Sequence, residues 1–276
     1  MNTEQLTEHS TAALAFDRVA ASYDELFTNT AIGQAQRKQV WPRLLAAFPQ
    51  GSRILELNCG TGEDARFLAR RGRAVLACDA SAAMIDVARS QKHENDRELR
   101  RGSLEYFHIA NEDLGSLAVE KLFDGAFSNF SGLNCLTNLT TVASGLANLI
   151  RVDGRLLICV WSRLCVAEVI WFLAHGQAKK AVRRFPGKAA ARLGELTISV
   201  SYPSVREIRQ CFSPWFRLTS RKAVGLFVPP SYLEGLIRKH PKMLARLESL
   251  DRFWAAWPGL RDFGDHMLLE FVRCNP

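Results

Sequence analysis

The first chemical signal in this chain is a glycine-rich turn bracketed by two acids. The run Ile54-Leu55-Glu56-Leu57-Asn58-Cys59-Gly60-Thr61-Gly62 takes an apolar stretch into small residues and then directly into a helical pattern from Glu63. Glycines at such a junction let backbone N–H groups and a helix N-terminus come close to a ligand, which is how nucleotides are held. Gly60, Gly62 and Ala65 also satisfy the G-x-G-x-x-A spacing of dinucleotide sites. Asp79 closes the next apolar run 17 residues past Gly62, where a carboxylate can accept hydrogen bonds from two ribose hydroxyls. Asn111-Glu112-Asp113 follows the third run, and Phe123-Asp124-Gly125-Ala126-Phe127-Ser128-Asn129-Phe130 carries the fourth into a polar loop. His175 and His266 are the histidines weighed as proton acceptors. The seven cysteines are odd in number and contain no C-x-x-C pair, so the sequence indicates neither a disulfide framework nor a metal site.

These groups need a scaffold, and periodicity supplies one. Apolar residues at three-and-four spacing read as a helix over 12–26 and a second over 34–48, ended by Pro49 and Gly51. Short apolar runs then alternate with helical stretches. Strands are expected at 53–57, 74–78, 104–109, 123–128 and 155–160, with helices at 63–71, 81–91 and 139–150. Such alternation, with runs buried on both faces, predicts an α/β fold with a doubly wound, mostly parallel sheet. Beyond Trp161 the rhythm changes. Residues 164–192 read as one or two helices and 197–202 as a polar strand. A helix at 204–211, a strand at 216–222, two helices within 231–256 and a last strand at 266–272 follow. The organisation expected is an N-terminal helical cap (1–50), a ligand-binding core (51–163), an insertion forming a substrate lid (164–202) and a C-terminal part completing the sheet (203–276).

Composition sets the outer limits. A chain of 276 residues, 47% hydrophobic and 23% charged, has apolar material for a sizeable core and is no disordered polymer. Met1–Ala15 carries two glutamates and no Lys or Arg, so no secretory signal is expected, and apolar runs such as 169–174 fall far short of the ~20 residues of a membrane span. A cytoplasmic location, with peripheral membrane contact left open, follows as the expectation. The net charge of +8 is concentrated: Lys179, Lys180, Arg183, Arg184, Lys188 and Arg192 fall in a stretch without an acid, so the rest of the chain carries 8 − 6 = +2.

The segments ILELNCGTG, VLACDASAAMIDVAR, ANEDL, FDGAFSNFSGLN and RVDGRLLICVW occur in that order over residues 53–161. Together they resemble the class I S-adenosylmethionine (SAM) dependent methyltransferases, especially those acting on small molecules. The leading FDRVAASYD is similar to the N-terminal helix of ubiquinone- and biotin-pathway methyltransferases. The resemblance implies a Rossmann-like seven-stranded sheet with N-terminal helices and a helical or strand insertion after the fifth strand. It implies SAM as cofactor and S-adenosylhomocysteine as product. By it, Glu56, Asn58, Cys59, Gly60 and Gly62 would line the methionine end, Asp79 would bind the ribose, and Ala80 and Met84 would flank the adenine. Asn111 and Glu112 would face the adenine, Ser128, Asn129 and Phe130 would lie beneath the sulfonium, and Tyr23 would close over the cofactor. Two departures stand out. Asn58 replaces the family's first glycine, a position Asn tolerates because it enters the left-handed region more readily than most residues, and Val152-Asp153-Gly154 keeps only the last residue of the usual Pro-Gly-Gly.

The expected function is methyl transfer to oxygen or carbon of a small, apolar or aromatic acceptor. The alternatives carried are an NAD(P)-dependent oxidoreductase and a SAM-binding protein without transferase activity. None of the four tyrosines has a lysine four residues on, which counts against a short-chain reductase. Ser128-Asn129-Phe130-Ser131 is not the Asn/Asp-Pro-Pro-aromatic box used on amide or exocyclic amino nitrogens, which disfavours nucleic-acid and glutamine acceptors. Asn134, Trp161 and Trp171 are the substrate-side candidates, and His175 and His266 the candidates for a base. Lys179, Lys180, Arg183 and Arg184, read at helical spacing, would form a cationic face for an anionic surface, either a membrane or an acyl carrier protein. Little aromatic interleaving accompanies them, so nucleic acid is disfavoured.

Overall fold

The computed structural model describes residues 8–95 and 102–275; residues 1–7, within the stretch expected to lack a leader, lie outside it. The chain runs α1 (Glu8–Val19), α2 (Ala31–Ala47), β1 (Arg53–Leu57), α3 (Glu63–Ala69), β2 (Ala74–Asp79), α4 (Ala82–Asn95), β3 (Ser103–His108), β4 (Phe123–Ser128), α5 (Leu139–Leu149) and β5 (Ile150–Trp161). There follow α6 (Val166–Ala174), α7 (Ala178–Ala181), β6 (Lys188–Leu193), β7 (Leu196–Ser201), α8 (Val205–Phe212), β8 (Phe216–Val224), α9 (Glu234–Lys239), α10 (Pro241–Trp254) and β9 (His266–Arg273). Seven strands form one sheet in the order β3-β2-β1-β4-β5-β9-β8. The first five are parallel, and β9 runs antiparallel to both β5 and β8.

Strand alternation divides the core. Leu55 and Leu57 of β1 join Val142 and Leu146 of α5 and Ile208 and Phe212 of α8 on one face, while Ile54 joins Val40, Leu44 and Phe48 of α2 and Phe67 and Leu68 of α3 on the other. Glu56 shares the parity of Ile54 and so faces the α2 and α3 layer, where water is excluded. The loops leaving the C-terminal ends of the parallel strands lie together at one edge, the place where open α/β sheets take their ligands.

Two expectations are corrected. The single helix over 12–26 is α1 followed by a tight 3-10 turn at Ala20–Ser22 and a wide turn at Asp24–Thr28. The winding changes where the Asp24 carboxylate is taken by Thr61 Oγ1 (2.6 Å) and Gln91 Nε2 (2.7 Å). The helical reading of 164–192 fails at its end: α7 stops at Ala181, and Lys188–Leu193 pairs antiparallel with β7 as a separate hairpin. Its exposure alternates with period two, but alanine at three of six positions hides the alternation from hydropathy. The four cations expected on one helix face are divided: Lys179 and Lys180 lie on α7, and Arg183 and Arg184 follow it. Arg184 is 5% exposed and donates to the buried Glu168, while Arg183, itself exposed, donates to the same carboxylate. No helix among the described residues is long and apolar enough to cross a membrane.

Candidate functional site

The turn after β1 is left-handed at Asn58 (φ 53°), Gly60 (φ 54°) and Gly62 (φ 80°). A Cβ on Gly62 would sit 2.3 Å from the Tyr106 hydroxyl oxygen, and one on Gly132 would sit 2.2 Å from the Cβ of Asn58. The β4 loop therefore makes room for asparagine where a glycine is usual. Asp79 clasps this turn from the end of β2: Oδ2 accepts from Gly60 N (2.8 Å) and Oδ1 from Ser81 N (2.9 Å). Burial pushes its carboxyl up, against the pull of these N–H groups.

Behind the turn, α2, α3 and the β4 loop enclose a group of buried charges. Arg37, 5% exposed, places Nε 3.4 Å from Asp64 Oδ1, yet neither Nε nor Nη1 makes a hydrogen bond. Its guanidinium lies 5.1 Å from the Phe27 ring centre and 4.9 Å from that of Phe130. Asp64 also accepts from Trp41 Nε1 (2.6 Å) and Asn129 Nδ2 (3.1 Å). Glu56 is buried with Oε2 unpartnered, and burial, reinforced by Asp64, raises its carboxyl well above the usual range. Asn129 Oδ1 and Ser131 Oγ are likewise buried without partners. Phe130 (φ 50°) and Ser131 (φ 74°) hold left-handed backbone in succession, a strained arrangement for a bulky residue and one that marks functional loops. A set of buried donors and acceptors left open in this way is suited to a small zwitterion, because each orphaned group costs free energy until something pairs with it.

In front of the turn opens a cavity of about 890 Å³. Its wall carries polar groups from Asn58, Asp79, His108, Asn111, Glu112 and Asn129 beside the backbone of Gly60. The same wall carries Phe16, Tyr23, Phe27, Phe130, Trp161 and Ile198, and Phe16, Tyr23 and Leu193 pack against Met84. Tyr23 is half-buried, and burial pushes its phenol up to about 12, so it serves as a neutral ring and donor. Asp17 fixes α1 over the cavity by accepting from Ser81 Oγ (2.6 Å) and Ala83 N (3.0 Å). The hairpin closes over the cavity beside α1: Leu193 and Ile198 line it, and Ile198, Val200 and Tyr202 pack on Ala12 and Ala15.

Of the cofactor-side residues expected from sequence, Tyr23, Asn58, Gly60, Asp79, Ala80, Met84, Asn111, Glu112, Asn129 and Phe130 line this cavity. Glu56, Cys59, Gly62 and Ser128 do not; Glu56, Cys59 and Ser128 are buried behind it, Ser128 Oγ donating to Asn58 Oδ1 (3.2 Å). Three outer candidates are not part of the cavity wall. Asn134 is a brace: Nδ2 donates to Ser201 O (2.7 Å) and Oδ1 accepts from Trp161 N (3.0 Å), tying the hairpin to β5. Trp171 packs away from the cavity with Met243, Leu244 and Leu247 of α10. His175 ends α6, its Nδ1 2.8 Å from Trp171 O and its ring 4.0 Å from that indole, outside the cavity wall.

Trp161 and His266 do reach the cavity. The His266 ring is 3% exposed, with Phe130 at 5.7 Å and Trp161 at 6.1 Å between centroids, and its Nδ1 lies 3.3 Å from Asp265 Oδ2. Asp265 also receives Arg184 Nη2 (2.8 Å) and Gln36 Nε2 (3.1 Å). Burial alone would raise the Asp265 carboxyl, but His266 and Arg184 outweigh it and hold it far below the usual range. Arg184 in turn spans to Glu168, 1% exposed, which also takes both forks of Arg183. The sequence reading missed Arg37, Asp17, Phe27 and Asp265. Asp17 alone carried a signal, standing within the FDRVAASYD segment; Arg37 had none, because α2 buries Gln36 and Gln39 beside it and shows no clear apolar stripe.

Residues 54–154 match the methyltransferase domain family. The chain is 33% identical over 150 residues to the demethylmenaquinone methyltransferase of Clavibacter sepedonicus, covering 53% of this chain and 56% of that protein. It is 37% identical over 113 residues to the malonyl-[acyl-carrier protein] O-methyltransferase of Pectobacterium atrosepticum, covering 40% and 41% respectively. The chain thus spans about half the length of the relatives it matches. The crystal structure of an S-adenosylmethionine dependent methyltransferase from Mesorhizobium loti superposes with a TM-score of 0.54 over 85% of this chain and 97% of that one at 18% identity, a likeness of fold.

Proposed function

We propose that this chain, whose residues 54–154 are a domain of the class I S-adenosylmethionine-dependent methyltransferase superfamily, transfers a methyl group to oxygen or carbon of a small, apolar or aromatic acceptor. The observation that carries the reading is one cavity whose wall joins the glycine turn and Asp79 to a set of aromatic rings, with the His266 imidazole among them. At about 890 Å³ it lies near the top of the ~300–1,000 Å³ range of small-molecule sites, which suits two ligands side by side. The orphaned Asn129 Oδ1 at the cavity wall, with the orphaned atoms of Arg37 and Glu56 buried behind it, suits the methionine zwitterion, and Asp79 suits the ribose. SAM supplies an electrophilic methyl group on a sulfonium.

The chain's own residues orient, dry and deprotonate. Phe16, Tyr23, Phe27, Phe130 and Trp161 exclude water and hold a flat apolar acceptor. His266 takes the proton of an acceptor hydroxyl or acidic carbon, and Asp265 on its Nδ1 side stabilises the charged ring. Arg184 and Gln36 keep Asp265 ionised and in place. The likeness to a demethylmenaquinone methyltransferase supports this acceptor class.

Calorimetric titration with S-adenosylhomocysteine, with NADH and NADPH in parallel, tests the cofactor, and methyl transfer to a panel of hydroxyaromatic compounds tests the acceptor. His266→Asn should lower turnover by about 10²–10⁴-fold while S-adenosylhomocysteine affinity stays within twofold or so. Binding of a dinucleotide alone would overturn the reading.

A further inference from the structure

The last helix carries an apolar face that the fold leaves in water. α10 buries Met243, Leu244 and Leu247 against α2 and α9, together with Ile32, Ala35 and Ile237. Toward its C-terminal end the same flank of the helix emerges into solvent, and with the turn after it shows Leu250 (40% exposed), Phe253 (77%), Trp254 (40%) and Trp257 (56%). Leu250, Phe253 and Trp254 are neighbours on the helix surface, Trp257 follows in the turn, and the two indoles lie 5.2 Å apart between centroids. Single exposed apolar residues are ordinary, but a contiguous aromatic group of this kind marks an interaction site.

The charges around it are one-sided. Arg238, Lys239, Lys242, Arg246 and Arg252 of α9 and α10 are all exposed. Every acid of the same segment is engaged elsewhere. Glu234 accepts from the N–H groups of Ala31 and Ile32 (3.0 Å each), capping α2. Glu248 meets Lys38 at 3.4 Å. Asp251 is fully buried and accepts from Gln39 Nε2 (2.9 Å) and Phe227 N (2.7 Å). The outward field of this surface is therefore cationic although its sequence is mixed.

We propose that this face, Leu250, Phe253, Trp254 and Trp257 amid the exposed cations of α9 and α10, is a docking surface for an anionic lipid bilayer. Indole and phenyl rings seat at the headgroup boundary while Lys and Arg meet the phosphates, the pattern of helices that lie in a membrane interface. A second copy of the chain fits less well, because a two-fold contact would set the five cations against themselves. Ser231, which leads into α9, lines the cavity, so the docking face and the cavity share one stretch of chain. The proposal stands on the α9 and α10 surface alone and does not depend on the acceptor.

The test is co-sedimentation of the full chain with phosphatidylcholine vesicles, with and without phosphatidylglycerol, at low and high salt. Binding is expected only with phosphatidylglycerol and should fall as salt rises. Arg246→Gln/Arg252→Gln should weaken it about fivefold per cation removed, and Phe253→Glu/Trp257→Glu should abolish it while leaving the melting temperature unchanged, since both side chains are exposed. Three results would overturn the proposal. They are no binding to phosphatidylglycerol vesicles, binding insensitive to both double substitutions, or a concentration-dependent dimer by light scattering that Phe253→Glu/Trp257→Glu dissociates. Retention on an oligonucleotide in place of vesicles would assign the face to nucleic acid.

Discussion

Replacing Arg37 by glutamine removes a buried guanidinium whose Nε and Nη1 have no hydrogen-bond partner while its nearest anion, Asp64, stands 3.4 Å away. In the free protein the change is moderate. Asp64 keeps Trp41 and Asn129 as donors, and the cost of holding unsatisfied N–H groups out of water disappears, so the loss falls below the ~3–5 kcal/mol of a broken buried ion pair. The liganded protein fares differently. If Arg37 meets the carboxylate of the methionine end, two charge-assisted hydrogen bonds at ~1.5–3 kcal/mol each are at stake, and competition from Asp64 brings the net loss to about 3 kcal/mol, or about 100-fold in affinity. Calorimetry with S-adenosylhomocysteine reads this directly, and 5′-methylthioadenosine, which lacks the amino-acid end, is the control. We expect the first to weaken about 100-fold and the second to be unaffected. Equal weakening of both would mean that Arg37 shapes the cavity by stacking on Phe27 and Phe130, and unchanged S-adenosylhomocysteine affinity would refute the assignment outright.

Asp79→Asn leaves one acceptor for two N–H groups and turns an amide donor toward the other, so both ligands should weaken alike by ~2–4 kcal/mol; wild-type affinity would remove Asp79 from the ribose site. Glu168→Gln unbalances two arginines that donate four hydrogen bonds to one buried carboxylate. At ~3–5 kcal/mol, and with unfolding entropy of about 2.1 cal/mol/K per residue, calorimetry should find the melting temperature lowered by about 5–9 °C, whereas a shift below about 2 °C would show the network to be energetically minor. Asp265 supplies the pH dependence. Its folded carboxyl lies below its unfolded value, so its stabilisation is complete above about pH 4 and is lost as the pH falls toward the folded value. Urea unfolding across acid pH should therefore show a shallower slope in Asp265→Asn than in the wild type, and parallel slopes would contradict the depressed carboxyl.

The parts of the site that the sequence disclosed are those written in consecutive residues. The turn at Asn58, Gly60 and Gly62 and the acid at Asp79 follow from local backbone needs at strand ends, and the structure puts all but Gly62 in the cavity wall. The seven-stranded, mostly parallel sheet follows from the same alternation. What stayed hidden is written across the chain. Gln36 reaches Asp265 over 229 positions, Arg184 reaches Asp265 over 81, and Asp17 reaches Ser81 over 64, so nothing near any of them in sequence announces its partner. Arg183 and Arg184 are the sharpest case. Counted by spacing they are a surface charge, yet both follow α7 and donate to the buried Glu168, Arg184 from inside the fold and Arg183 from its surface, so the pair braces α6.

That brace also explains why the imidazole sits where it does. β9 must begin at His266 to pair with Trp161 of β5 and Val224 of β8, which fixes the backbone but leaves the ring free to turn. Asp265 limits that freedom from the Nδ1 side and is itself held by Arg184 from the segment after α6 and by Gln36 from α2. Because Arg184 is shared with Glu168 of α6, a displacement of the α6–α7 segment cannot leave Asp265 unmoved. Three buried charges in a row would be a poor way to gain stability alone, since well-packed apolar residues would cost less desolvation. Their value lies in position: in the proposed role as proton acceptor the ring must be held at one angle, and a carboxylate anchored by charged hydrogen bonds 3.3 Å from Nδ1 favours one orientation where apolar packing alone leaves the ring free to rotate.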